Sequence, residues 1–173
     1  MSATNRWGLI CAVSLEFLAL GVWVGGLIVL IGAVIPAVFN TFGGQDAGGF
    51  FLTRTFEGYN RLVVAVMAVL GVTTWYRWRQ GASSVPVSRA ELILLAVMGL
   101  IAAAIILVLH PQAAALQAEA FGAKDELARK AAFEAFFRLH MPVRSLYMVN
   151  LVLGIVLLVV KVKRWMSRGE GLS

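Results

Sequence analysis

One carboxylate, Glu16, lies inside the first long apolar run of the sequence. A charged side chain near the centre of a bilayer costs about 2.5–3.5 kcal/mol on insertion scales, so it needs a partner or a proton. Arg77 follows Thr73 and Thr74 at the end of the second apolar run and could extend toward it. We therefore expect Glu16 to face other helices, either as a structural contact or as a proton relay. No second acidic residue falls within the other apolar runs, the third of which extends from Leu92 to Leu109, and this weakens the relay hypothesis.

Two histidines, His110 and His140, flank the polar segment between the third and fourth apolar runs. Imidazole nitrogens bind metal ions and haem iron, so the pair is a candidate metal site if both rings lie at one depth. A shared ion would require ring nitrogens within about 4 Å of each other. The spacing of the two residues matches no metal motif. The alternative is that both histidines hydrogen-bond to water and loop carbonyls.

The same predicted side of the membrane carries other polar side chains, among them Tyr59, Arg138 and Asn150. Arg138 offers a fixed fork of donors and Asn150 an amide, with His140 orienting them, which suits an anion or a lipid headgroup. This arrangement is favoured over a cation site because two neutral histidines beside a cation bind metal poorly. The candidate ligand residues are thus Glu16 and this outer group, and no cofactor follows from them.

Signature motifs of common soluble enzymes are missing from the sequence. It contains no phosphate-binding Gly-x-x-x-x-Gly-Lys loop, no Gly-x-Ser-x-Gly elbow and no His-Glu-x-x-His zinc motif. We therefore expect a protein that is not an enzyme of these classes.

The amino-acid composition indicates which kind of structure holds these residues in place. Of 173 residues, 60% are apolar and 14% charged, whereas a soluble domain has roughly 25% charged residues. The net charge of +6 lies in short clusters between apolar runs, which indicates anchoring beside a membrane rather than nucleic-acid binding. Because Cys11 is the single cysteine, no intrachain disulfide can form.

Four apolar runs are long enough to cross a hydrocarbon core of roughly 30 Å. The sequence predicts one integral membrane domain, 1–173, of the all-α class: a four-helix transmembrane bundle joined by the linkers Gly43–Gly49 and Gln80–Ser88. His110 and Pro111 are predicted to end the third helix. Residues 112–139 are too charged to span, and their apolar residues recur at helical spacing, which predicts an amphipathic extramembrane helical segment. The predicted spans are about 8–38, 58–78, 91–110 and 142–162.

Lys and Arg residues are slightly in excess on the side that holds both termini and the second connection. By the positive-inside rule this predicts a multi-pass protein of the cell membrane with both termini cytoplasmic. Trp75, Trp78 and Trp165 fall at the same boundary, where amphipathic aromatic side chains concentrate. Gly21 and Gly25 permit close helix contact, either within the bundle or with a second copy or partner subunit.

Three stretches, Gly21–Phe39, Phe56–Leu62 and Phe136–Gly154, together resemble the bacterial domain-of-unknown-function family grouped with vertebrate transmembrane protein 205. The resemblance implies a four-helix membrane fold without an established activity. It also implies distant similarity to copper-resistance D-type membrane domains and to the haem-linked protoporphyrinogen oxidase membrane family. The chain departs from the latter because no predicted span contains a histidine. The matching positions are Trp23, Gly25, Gly26, Pro36, Phe39, Tyr59, Arg138, His140, Ser145 and Asn150.

Three functions are consistent with these features of the sequence. The first is a non-enzymatic membrane protein whose outer-facing polar pocket serves small-ligand or metal handling, or transport. The second is a haem-dependent membrane oxidoreductase that uses His110 and His140. The third is a scaffold or assembly subunit that holds a partner through residues 112–139.

Overall fold

The computed structural model describes residues 3–42, 45–80 and 86–169, nearly all of them helical. Residues 43 and 44 of the first predicted linker and 81–85 of the second lie outside the described residues. Two short π-helical segments, Leu30–Val34 and Ile105–Leu109, join neighbouring α-helices into longer rods. The α-helices are α1 (Ala3–Val29), α2 (Ile35–Phe42), α3 (Gln45–Arg79), α4 (Arg89–Ala104), α5 (His110–Gly122) and α6 (Glu126–Gly169).

Four of the resulting rods are long and apolar enough to cross a membrane: Arg6–Phe42, Ala47–Arg79, Arg89–Gly122 and Glu126–Ser167. Apolar side chains cover their outer surfaces as well as their contacts, as expected of helices surrounded by lipid. The predicted all-α, four-helix transmembrane fold is therefore confirmed, and the protein is a polytopic membrane protein.

Each π-helical segment ends two residues before a proline, at Pro36 and at Pro111. In both, the residue before the proline donates its N–H to the carbonyl five residues back: Ile35 to Leu30, and His110 to Ile105. A proline ring clashes with the carbonyl of residue i−4 in a regular helix, and a widened turn relieves this clash. The prediction that His110 and Pro111 end the third helix is therefore corrected, because the rod continues through α5 to Gly122.

The polar segment 112–139 is helical, and its two halves extend the third and fourth rods. α5 and the start of α6 pack side by side, with the rings of Phe121 and Phe133 edge to face at 5.4 Å. α6 has 44 residues and passes through Pro142 without a break. At 1.5 Å per residue it is roughly 65 Å long, about twice the hydrocarbon thickness. We call the end of the bundle where α5 ends and α6 begins the distal end.

The opposite end, where α1 begins and α6 ends, is called the terminal end. Between the two ends α1 packs against α3 and α6, and α6 packs against α4. Leu20, Trp23, Leu27, Leu70 and Leu157 are almost fully buried at these contacts. The helices thereby enclose a tight apolar core through the middle of the bundle.

Candidate functional site

Glu16 is buried in α1 near the terminal end, with 1% of its surface exposed. Its Oε2 accepts a hydrogen bond from Arg77 Nη1 at 2.5 Å, and its Oε1 accepts one from Thr74 Oγ1 at 3.4 Å. The predictions that Glu16 faces other helices and that Arg77 reaches it are both confirmed. The pairing satisfies a carboxylate that lipid could not solvate.

A second carboxylate, Glu91, is also buried at this level, which corrects the expectation that no other span carries one. It lies in the first turn of α4, and its backbone N–H donates to the hydroxyl of the N-cap Ser88 at 3.0 Å. Arg77 Nη1 donates to Glu91 Oε1 at 2.8 Å. In the sequence Glu91 lies at the very edge of the third predicted span, one residue before the uncharged run that begins at Leu92. The Ser88-x-x-Glu91 spacing, typical of a capping box, was the signal that could have placed Glu91 in the helix.

Lys161 completes the arrangement from α6. Its Nζ donates to Glu16 Oε2 at 2.6 Å and also to Glu91 Oε1. In the sequence it opens the basic run Lys161–Arg164, which closes the fourth apolar run at the edge of the predicted span. A signal was present, because Lys161 continues the buried stripe of α6 at helical spacing: Tyr147, Asn150, Gly154, Leu157 and Lys161.

Together these four residues form a closed ring in which acidic and basic side chains alternate, and we call it the charge ring. Each member comes from a different rod, and none is more than 7% exposed. Two carboxylates and two cations make the ring neutral. Because each cation contacts both carboxylates, removing any member leaves an uncompensated buried charge.

A cleft of about 350 Å³ opens beside the charge ring, and all four ring members contribute to its wall. Arg164, an exposed residue one turn after Lys161, also lines it and donates to the Pro86 carbonyl oxygen at 3.5 Å. With the ring neutral, Arg164 gives the charged lining a formal charge of +1. The electrostatics of the cleft therefore favour a solute with an anionic group. The rest of the lining is Val13, Phe17, Trp165 and Ser167.

The outer residues selected from the sequence point in different directions. Tyr59 is buried, and its hydroxyl donates to the Trp23 carbonyl oxygen at 2.8 Å. Asn150 is buried and donates to the Met98 carbonyl oxygen at 3.4 Å. Arg138, in contrast, is exposed. Among the contacts of the described residues, none joins Arg138 to either buried side chain.

His140 is exposed and its ring stacks on Phe136 at 5.5 Å, while His110 is half-buried at the start of α5. Within the described ranges, no cluster of three or more His, Cys, Asp or Glu residues is placed to hold a metal ion. A shared metal at the two histidines would therefore need ligands of other types. Haem binding through the same pair stays a prediction.

A second buried polar group lies deeper in the bundle. Tyr147 donates its hydroxyl hydrogen to Asn60 Oδ1 at 2.8 Å, and Asn150 lies one turn farther along α6. In the part of the chain that the structure describes, Asn60 Nδ2 and Asn150 Oδ1 have no hydrogen-bond partner. Buried amides of this kind are usually satisfied by an ordered water. Along α6, the apolar Leu157 separates this group from the charge ring.

Comparison with known protein families identifies a family of unknown function. The model of a domain of unknown function, DUF4149, matches residues 18–121, more than half of the chain. No curated protein and no solved structure matches the chain. The matched segment contains Arg77 and Glu91, begins just after Glu16 and ends before Lys161.

Proposed function

We propose that this chain, which belongs to the DUF4149 family of membrane proteins, binds a small solute with an anionic group at the charge ring and serves in its handling or transport. The observation that carries the proposal is the cleft beside the ring, whose wall contains all four ring members and Arg164. A neutral ring exposed to a cleft with one additional cation can accept an anion through existing donors on Arg77, Lys161 and Arg164.

The ring also ties the four rods together, and that role alone would not require a cleft. Apolar side chains of similar size connect helices without the cost of burying four charges. Ionisable residues inside a membrane bundle commonly mark a substrate or ion pathway. The presence of both features at one place supports a binding role in addition to the structural one.

This proposal keeps the ligand-handling function inferred from the sequence but moves its site. The sequence hypothesis placed the pocket at the distal end, around Arg138 and His140. Arg138 is exposed there and Asn150 is buried, and we therefore favour the terminal end as the binding site. At the terminal end, donors of three residues line one cleft.

We further propose that the terminal end faces the cytoplasm, from the Lys and Arg excess on that side. Single cysteines placed at Ser2 and Ser173, in a background with Cys11 replaced by serine, are expected to resist a membrane-impermeant thiol reagent added to intact cells. A cysteine at Lys124, between α5 and α6, is expected to react. Labelling of both terminal cysteines with protection at Lys124 would reverse the orientation.

Anion binding can be tested on protein purified in lipid nanodiscs. Acetate, sulfate and phosphate are titrated while the thermal unfolding midpoint is followed, because a ligand at 100 times its Kd stabilises the native state by about 2.7 kcal/mol. At least one anion is expected to raise the midpoint. Arg164→Gln is expected to weaken its binding about tenfold, consistent with loss of one charge-assisted hydrogen bond of about 1.5 kcal/mol.

Lys163→Gln is the matched control, because Lys163 is an exposed neighbour that does not line the cleft. It removes the same charge from the same helix end and should leave the affinity within about twofold. No stabilisation by any of the three anions, or equal losses in both variants, would contradict the proposed function.

A further inference from the structure

We propose that anion binding at the charge ring is coupled to the uptake of one proton by Glu16. This inference rests on the proposed function and specifies what the bound anion requires of the ring. It follows from the neutrality of the ring, the sharing of its cations and the position of Glu16.

The charge ring is electrically neutral. Glu16 and Glu91 balance Arg77 and Lys161, and all four side chains are almost completely buried. An anion that enters among them adds a negative charge to a region where water does not screen charge. Uncompensated charge is strongly disfavoured there, so a positive charge must accompany it. Arg164 lines the same cleft, but it is exposed to solvent and donates to the Pro86 carbonyl oxygen, so its charge lies outside the buried ring.

Each cation of the ring is shared between the two carboxylates. Arg77 Nη1 lies 2.5 Å from Glu16 and 2.8 Å from Glu91, and Lys161 Nζ contacts the same two carboxylates. Both hydrogens of Arg77 Nη1 are thus engaged, so an anion that bonds to this nitrogen takes the place of a carboxylate oxygen. The displaced carboxylate loses the cations that held it ionised, and a proton from the cleft then converts it to the neutral acid. Charge is conserved because one anion and one proton enter together.

The surroundings of Glu16 identify it as the carboxylate that accepts the proton. Thr74 Oγ1 lies 3.4 Å from its Oε1, and a hydroxyl can turn to accept a hydrogen bond from a protonated carboxyl. Glu91 is held in the first turn of α4, where its N–H is capped by Ser88. A carboxylate near a helix N-terminus is stabilised in its charged form, so Glu91 is the carboxylate that stays ionised.

Each rod presents one charged group to the ring. α1 contributes Glu16, α3 contributes Arg77, α4 contributes Glu91 and α6 contributes Lys161, and Arg164 of α6 lines the same cleft. The two cations remain charged throughout the step. The only change of protonation that restores neutrality is therefore on a carboxylate.

The test measures the Kd of acetate in nanodiscs between about pH 6 and about pH 8, where acetate itself stays ionised; sulfate is the probe if acetate does not bind. Because a proton binds with the anion, the Kd is expected to rise about tenfold per pH unit. Calorimetry in two buffers of different ionisation enthalpy is expected to show uptake of one proton per anion. Binding with a Kd that is constant over this range would overturn the coupling, whereas absence of binding by every anion would overturn the proposed function instead.

Glu16→Gln identifies the acceptor, because a glutamine cannot take the proton. This variant is expected to bind acetate with a Kd that does not change with pH and lies below that of the natural protein at about pH 6. Glu91→Gln should keep the tenfold slope. If Glu91→Gln loses the slope and Glu16→Gln keeps it, the assignment to Glu16 is wrong. The calorimetric proton count on the natural protein decides the coupling if either variant fails to fold.

Discussion

Replacing Arg77 by leucine is expected to lower the free energy of unfolding by about 3–5 kcal/mol. Arg77 donates to both carboxylates of the charge ring, so its loss leaves Glu16 and Glu91 with Lys161 alone. The ring then carries a net negative charge in the buried interior, and the leucine cannot donate to either oxygen. Reversible unfolding in mixed micelles, followed by circular dichroism, measures the change.

Arg79→Leu is the control for this substitution. Arg79 lies on the same turn, is exposed, and stacks over the Trp75 ring at 4.4 Å. Its replacement removes the same charge and adds the same side chain, and is expected to cost less than about 1 kcal/mol. Equal costs for the two variants would show that the bonds from Arg77 to the ring carboxylates do not contribute to the free energy of unfolding.

Replacing Gly26 by valine is expected to lower the free energy of unfolding by about 2–4 kcal/mol. A Cβ at Gly26 would lie 2.8 Å from Tyr59 Cε2 and 3.3 Å from its Cδ2, so the tyrosine must move. Overpacking of this kind costs about 1–3 kcal/mol. Displacing the ring also breaks the bond from the Tyr59 hydroxyl to the Trp23 carbonyl oxygen, which contributes about 1 kcal/mol.

Gly21→Val tests whether the cost is local to that contact. Gly21 is in the same helix, and a Cβ there meets nothing within 4 Å. The same unfolding assay should therefore give a change near zero at Gly21, because helix propensity changes equally in both variants. A comparable loss at Gly21 would indicate that valine weakens α1 itself and would remove Tyr59 from the explanation.

The fold was predictable because it depends on quantities that a sequence states directly. Run length and the rarity of charges identify a membrane span, and they located all four rods. The ends of the rods were not predictable by the same means. Charged residues between 112 and 139 exclude a span but not a helix, so α5 and α6 continue past the predicted boundaries. Pro111 was expected to end a helix, and only the backbone shows the π-helical turn that accommodates it.

The site was predictable in part. Glu16 was found because a lone carboxylate in an apolar run requires a partner, and Arg77 was found because it lies at the matching depth. Glu91 and Lys161 were missed because charged residues at the edge of a run look the same whether they face solvent or the bundle axis. Depth can be counted from the sequence, but rotation about the helix axis is fixed by packing. The same limit separated Arg138 from Asn150, since one points outward and the other inward.

The charge ring also has a consequence for biogenesis. Its members lie far apart along the chain, so they emerge from the ribosome in the order Glu16, Arg77, Glu91 and Lys161. After the first two helices are made, Glu16 and Arg77 can neutralise each other. Synthesis of the third helix adds Glu91 and leaves a net negative charge that lasts until the final helix supplies Lys161. A chain that ends after the third helix therefore retains one unbalanced acidic residue, and the fourth helix supplies its partner.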